Sequence, residues 1–228
     1  MSLPLVLLPG MMCDARLFAP QIAALSAGRS ILCADLSNGD SMGALAAGVL
    51  AEAPPHFALA GLSMGGILAM EILRQAPDRV SRLALLDTNP LAEAPEVRDG
   101  RATQIARAER GELSAMMADT FIPRYLAAPD PDIEAICLAM AADLGPDVFV
   151  HQSCALRDRP DQCETLRGYT GRALILCGAE DQLCPVTRHT LLQSLMPHAA
   201  YRVVDGAGHL PTLESPMTVT EALCQWLS

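Results

Sequence analysis

Six short runs of apolar residues constrain the fold of this chain more than any other feature: 3–10, 30–37, 57–63, 82–89, 172–181 and 200–209. Most are nearly continuous in apolar residues, as in LPLVLLPG and RALILCGAED, and each closes on a turn residue. Alternating patterns mark strands with one wet face. Continuous runs of this length mark strands covered on both faces, the condition of a parallel sheet. Helical patterns fall between the runs, at 15–26, 40–52, 64–75 and 186–195, with a last helix starting near Pro216. Asp40 or Ser41 can cap the second of these, and Ser215 can cap the last, with Pro at its first position. Strand and helix in alternation predict α/β architecture with helices on both faces of a mostly parallel sheet.

One interval breaks the rhythm. From Asn89 to Arg172 no convincing strand occurs, and the chain reads as helices at 96–110, 112–121, 132–143 and 147–157. The expected organisation is therefore a core domain over 1–90 and 169–228, with an inserted helical cap over 91–168. With 51% hydrophobic residues a sizeable core is available, but only 4% are aromatic, so it is aliphatic.

Charge and cysteine content narrow the function classes. A net charge of −10 repels phosphate backbones, so nucleic acid is not an expected partner. All sixteen basic residues are Arg, which removes Lys Schiff-base chemistry and the Lys-dependent phosphate loop. The eight Cys are scattered without C-x-x-C pairs, so neither zinc nor a disulfide framework is expected. The apolar start MSLPLVLLPG lacks a basic lead and a cleavage site, and no stretch is long enough to span a bilayer. These features predict a soluble cytoplasmic protein without a membrane partner, monomeric or homodimeric, with no cofactor and no metal.

The strongest chemical signal is GLSMG at 61–65, a G-x-S-x-G pattern lying directly between an apolar strand and an apolar helix. A turn this sharp strains the backbone at Ser63 and presents its hydroxyl at the carboxyl end of the sheet. A hydroxyl needs a base to become nucleophilic. Of the five His, only His209 follows a strand in a Gly-containing loop at that end of the sheet; His56, His151, His189 and His198 read as solvated or capping side chains, with His151 kept as a candidate substrate contact. The base in turn needs an acid. Asp181 ends the strand before His209 and fits the order Ser…Asp…His; its rivals are the adjacent Glu180, whose side chain should point elsewhere, and Asp87, at the end of LLDTNP. An oxyanion needs two donors. These are expected to be the backbone N–H of Met64 and that of Met11, with Met12 the alternative. The side chains of Met12, Met116 and Met117 are candidates for pocket walls, with plain core packing the other reading, and Arg157 and Arg159 for a substrate carboxylate, with a solvated Arg pair the other reading.

Taken together, LLPGMMCD (7–14), GLSMGG (61–66), LLDTNP (85–90), GAEDQLCP (178–185) and GAGHLPTLESP (206–216) resemble the α/β-hydrolase superfamily, in its order and over almost the whole chain. The resemblance implies a cap inserted after the strand ending at Asp87, hydrolysis without a cofactor, and Ser63, Asp181 and His209 as the triad. It also exposes two departures. The chain begins on the oxyanion strand, so the sheet is expected to have about six strands, without a leading hairpin and with an edge that is short or covered by a dimer partner. The oxyanion loop reads Pro9-Gly10 where the family often has His-Gly. The function implied is a serine hydrolase of a small acyl ester or thioester. C–C bond hydrolysis, lyase or perhydrolase chemistry on the same triad, and a non-catalytic ligand-binding protein on the same scaffold, stay open at this point.

Overall fold

The computed structural model describes residues 2–228. Six strands form one sheet: β1 (Leu5–Leu8), β2 (Ile31–Cys33), β3 (Phe57–Leu62), β4 (Val80–Leu86), β5 (Arg172–Gly178) and β6 (Ala200–Val204). They lie in the order β2-β1-β3-β4-β5-β6, every pair parallel. The reversal of winding between β1 and β3 opens a crevice at the carboxyl edge, where ligands bind in sheets of this kind.

The continuous apolar runs explain the layering. Every residue of β1 and β3 is buried, because helices cover both faces of the sheet there. Side chains alternate between the faces: Leu5 and Leu7 join one hydrophobic cluster, Val6 and Leu8 the other. The two edge strands differ from the sequence expectation. β2 is half-buried and β6 largely exposed, since an edge strand loses cover on its outer side. β2 has only three residues, which limits its row of unpaired backbone groups.

The helices are α1 (Ala19–Leu25), α2 (Met42–Glu52), α3 (Met64–Gln75), α4 (Pro95–Glu109), α5 (Leu113–Met116), α6 (Pro131–Arg157), α7 (Cys163–Arg167), α8 (Val186–Leu195), α9 (Pro211–Glu214) and α10 (Pro216–Leu227). Ser41 caps α2, its Oγ accepting from the Ala44 N–H at 3.2 Å. Ser215 precedes α10, but its hydroxyl makes no cap bond; its carbonyl accepts from Val219 instead. α3 is buried almost all round, as its apolar sequence requires.

Between β4 and β5 the described residues form helices joined by loops, with no strand. The expected helices at 132–143 and 147–157 are two arms of α6, bent where Gly145 takes φ 80° ahead of Pro146. Proline removes a ladder hydrogen bond, and the residue before it is disfavoured in helical geometry. α5 is short because the chain widens into a π-type turn over Met117–Phe121. Ala108, Leu113, Met116, Tyr125 and Phe149 from this segment pack in the same cluster as Leu5 and Leu7 of the sheet. Among the described residues no helix is long and apolar enough to cross a membrane.

Candidate active site

Among the described residues three non-glycine residues adopt positive φ: Met12 at 56°, Ser63 at 56° and Asp87 at 44°. All three lie in loops leaving the carboxyl ends of β1, β3 and β4. Such geometry costs about 1–3 kcal/mol per residue and persists only where its surroundings hold it. At Ser63 the braces are visible. Its N–H donates to the Leu86 carbonyl at 2.9 Å, and its carbonyl accepts from the Thr88 hydroxyl at 2.8 Å. The turn closes so tightly that a Cβ on Gly61 would sit 2.2 Å from the Gly65 carbonyl oxygen, and one on Gly65 2.0 Å from that of Leu8. The Ser63 hydroxyl therefore stands clear of the sheet, at the N-terminus of α3.

An unbroken chain of hydrogen bonds runs from that hydroxyl. Ser63 Oγ lies 2.8 Å from His209 Nε2, and His209 Nδ1 lies 2.8 Å from Asp181 Oδ2. This sets the neutral imidazole with its proton on Nδ1, donated to Asp181, and Nε2 open to the serine proton. The second Asp181 oxygen accepts from the Leu183 and Cys184 N–H groups at 2.8 and 2.9 Å. Burial pushes the Asp181 carboxyl up, but His209 and the two amides outweigh it and hold the group below its ordinary value. The loop bearing His209 is itself clamped. Glu214 accepts from the N–H groups of Ala127, Gly208 and Leu210, and the His209 N–H donates to the Tyr125 carbonyl at 2.6 Å.

Asp87, the rival acid, is fully buried but does not reach His209. Its Oδ1 accepts from the Gly178 N–H at 2.8 Å. Burial, then the negative charge of Asp181, raise its carboxyl well above the usual range.

The Met11 and Met64 N–H groups have no intramolecular acceptor among the described residues. Met12 cannot be the second oxyanion donor, because its N–H donates to Gln152 Oε1 at 2.8 Å. Gln152 also donates to the Leu36 carbonyl at 3.1 Å, so a buried side chain of α6 fixes the loop after β1. Gln152 and Glu214 carry site geometry that sequence reasoning missed. A signal existed for Gln152: it sits on the stripe of α6 shared by Val148, Phe149 and Leu156, a polar residue at an apolar position.

Ser63, His209, Met11 and Met64 line a cavity of about 540 Å³. The expected pocket walls do not. Met12, Met116 and Met117 are buried in the core beneath, at 1–2% exposure, and His151 points outward to solvent. One residue is 100° on a helix, so His151 faces out where Gln152 faces in. Arg157 pairs with Asp158 away from the cavity, whereas Arg159 lines it. His189 is not solvated: it is fully buried, and its Nε2 accepts from the Thr88 N–H at 3.0 Å. Burial lowers its pKa to about 4, so it braces the elbow as a neutral ring. His56 and His198 are exposed; each ring hydrogen-bonds a carbonyl, and His198 also lies beside the Tyr169 ring.

Cys184 brings a thiol within 4.8 Å of the Asp181 and His209 ligand atoms. Burial raises that thiol, and the carboxylate and imidazole are already engaged with each other, so the trio is a poor donor set for a cation.

A parallel sheet with helices on both faces and a strained serine at its carboxyl edge define a class of enzyme, the hydrolases. The chain belongs to the alpha/beta hydrolase family, whose profile matches residues 5–223. It is 26% identical over 190 residues to the biotin biosynthesis bifunctional protein BioHC of Teredinibacter turnerae, covering 76% of this chain and 33% of that protein. It is 29% identical to the dihydrolipoyllysine-residue acetyltransferase component of the acetoin cleaving system of Pseudomonas putida, covering 98% of this chain and 63% of that one. The chain thus spans a third and about three-fifths of these two relatives. A pimeloyl-[acyl-carrier protein] methyl ester esterase of Salmonella newport is 27% identical, covering 78% of this chain and 73% of the esterase. Among solved structures, a thermophilic esterase from Thermogutta terrifontis superposes with a TM-score of 0.90 at 24% identity, covering 100% of this chain and 90% of that one. The enol-lactonase from Burkholderia xenovorans LB400 superposes at 0.86 with 21% identity, covering 100% and 92%. These two likenesses show the fold.

Proposed function

We propose that this protein hydrolyses a small carboxylic ester through a covalent acyl-enzyme on Ser63, with His209 as base and Asp181 as the acid that orients it. The observation that carries this reading is the continuous hydrogen-bonded path from Ser63 Oγ through His209 to Asp181, opening on a cavity. The esterase names among its relatives support the ester class.

In the reaction, His209 Nε2 takes the Ser63 proton as Oγ bonds to the ester carbonyl carbon. The oxyanion that forms is met by the N–H groups of Met64 and Met11, and the positive end of α3 favours its charge. Collapse breaks the bond to the alcohol oxygen, which leaves with the proton from His209. Water then gives a proton to the same nitrogen and attacks the acyl carbon, and Ser63 leaves with that proton. Asp181 keeps the imidazole in the required tautomer and stabilises the imidazolium between these steps. The helical segment over 91–168 acts as a cap that roofs the cavity and selects the substrate.

The test is Ser63→Ala, assayed with p-nitrophenyl acyl esters and a fluorophosphonate probe. A loss of at least about 10³-fold in kcat, with no labelling, is expected. Retained hydrolysis would overturn the assignment.

A further inference from the structure

The cavity has a charge that the rest of the molecule does not. The chain carries a net −10, yet four guanidiniums line the cavity (Arg101, Arg124, Arg159 and Arg188) against two carboxylates, Glu93 and Asp161. The inner part of this set is a buried triad. Arg101 holds Glu93 through two parallel hydrogen bonds, both 2.9 Å, and Arg159 reaches the same carboxylate at 2.6 Å. Side-chain exposures are 10% for Arg101, 9% for Arg159 and 2% for Glu93. Two cations thus share one anion where little water can compensate the second.

A purely structural clamp between α4 and the end of α6 needs only one cation per carboxylate, because an extra buried charge costs desolvation energy that nothing repays. Carbonyls take part of the surplus: Arg159 donates to Leu91 and Leu156. Even so, burial holds Arg159 below its ordinary value, with Arg101 adding to that and Glu93 opposing it. Two donor groups remain. Arg101 Nη1 meets only the Met11 sulfur, a weak acceptor, at 3.7 Å, and Arg159 Nη2 has no hydrogen-bond acceptor among the described residues. Arg124 and Arg188 likewise have no side-chain partner among them. The Met11 contact places Arg101 against the loop that faces Ser63.

We infer that the substrate carries a carboxylate besides the ester that Ser63 attacks, and that Arg101 and Arg159, with Arg188 and Arg124 at the periphery, bind it. This rests on the reading of Ser63 as an esterase nucleophile. A carboxylate matches the spare guanidinium donors, and charge-assisted bonds in a dry site are the strong ones. The outer pair draws the anion toward the cavity through an otherwise repelling field.

The test compares p-nitrophenol release from the p-nitrophenyl monoester of adipic acid with that from p-nitrophenyl heptanoate, which has similar length and no charge. The expected kcat/KM is about 10- to 100-fold higher for the anionic ester at low salt, with the ratio shrinking as ionic strength rises. Arg159→Gln should lower the ratio about tenfold or more. Because that change leaves Arg101 alone with Glu93 and can disturb folding, the Arg124→Gln/Arg188→Gln double variant provides a second measurement. Those side chains hold nothing else in place, and the salt dependence should flatten. Equal or better turnover of heptanoate, with a ratio indifferent to salt and to both variants, overturns the inference and leaves the esterase standing. If neither ester is turned over and the fluorophosphonate fails to label Ser63, the esterase reading falls and the inference falls with it.

Discussion

The loops after β4 and β5 each end a buried strand with an aspartate, and the two aspartates live in opposite states. Asp181 accepts three N–H groups, those of Leu183, Cys184 and the His209 ring. Asp87 accepts one, from Gly178. Both are buried, at 5% and 0% exposure, so depth does not separate them. The number of donors does: three offset the loss of water around an anion, and one does not, least of all beside the charge of Asp181. Neighbouring carboxyls are thus tuned apart by the N–H groups around them, the His209 ring foremost at Asp181 and a single backbone amide at Asp87, with no arginine hydrogen-bonded to either. Glu214, the last residue of α9, shares with Asp181 the count of three donors. It differs in receiving only backbone groups, which makes it a clamp on the chain rather than a partner to the base.

This ordering by donors can be broken in steps. Asp181→Asn is expected to have the largest effect, a fall in kcat/KM of about 10⁴-fold, because the amide favours the wrong imidazole tautomer while keeping the shape. A fall of less than tenfold would mean that donor count does not identify the working acid. Glu214→Gln is expected to be intermediate. One of its oxygens becomes a donor facing a backbone N–H, which loosens the His209 loop. Activity should fall about 10- to 100-fold and stability by about 1–3 kcal/mol, read from kinetics and denaturant melts. Asp87→Asn should matter least, since an amide imitates the protonated acid and still accepts from Gly178. Less than about a fivefold change in kcat/KM is expected.

The two Asn variants should also have opposite pH signatures in thermal melts. The folded Asp181 carboxyl lies below its unfolded value of about 4, so it stabilises the wild type above that pH and the benefit disappears in acid. Asp181→Asn is therefore most destabilised near neutrality. The folded Asp87 lies above its unfolded value, so the folded state holds the extra proton and the wild type loses stability as pH rises from about 4. Asp87→Asn escapes that loss and should gain relative to wild type over the same rise.

The parts legible in the sequence were those with local causes. Continuous apolar runs require cover on both faces, and they became strands; G-x-S-x-G between strand and helix leaves few ways to turn, and Ser63 sits at the strained elbow. The parts that were not legible depend on direction and on distant pairing. Met116 and Met117 have the adaptable side chains expected of a pocket, but the widened turn after α5 aims them into the core. Arg159 stood in the sequence as either a carboxylate contact or a solvated side chain, because nothing local reveals that it and Arg101 meet Glu93 across 66 and 8 positions. His151 and Gln152 differ by one step of a helix, and only the apolar stripe of Val148, Phe149 and Leu156 tells which of the two faces in.

Gln152 joins the loop after β1 to a helix that comes from the roof of the cavity. The roof is therefore not an interchangeable part. Transplanting a relative's helical segment to alter substrate choice would also remove the support of Met12, next to the Met11 N–H that the proposed reaction assigns to the oxyanion. Under the proposed esterase reading recognition and turnover are coupled through position 152, which a successful chimera has to carry across with the helix.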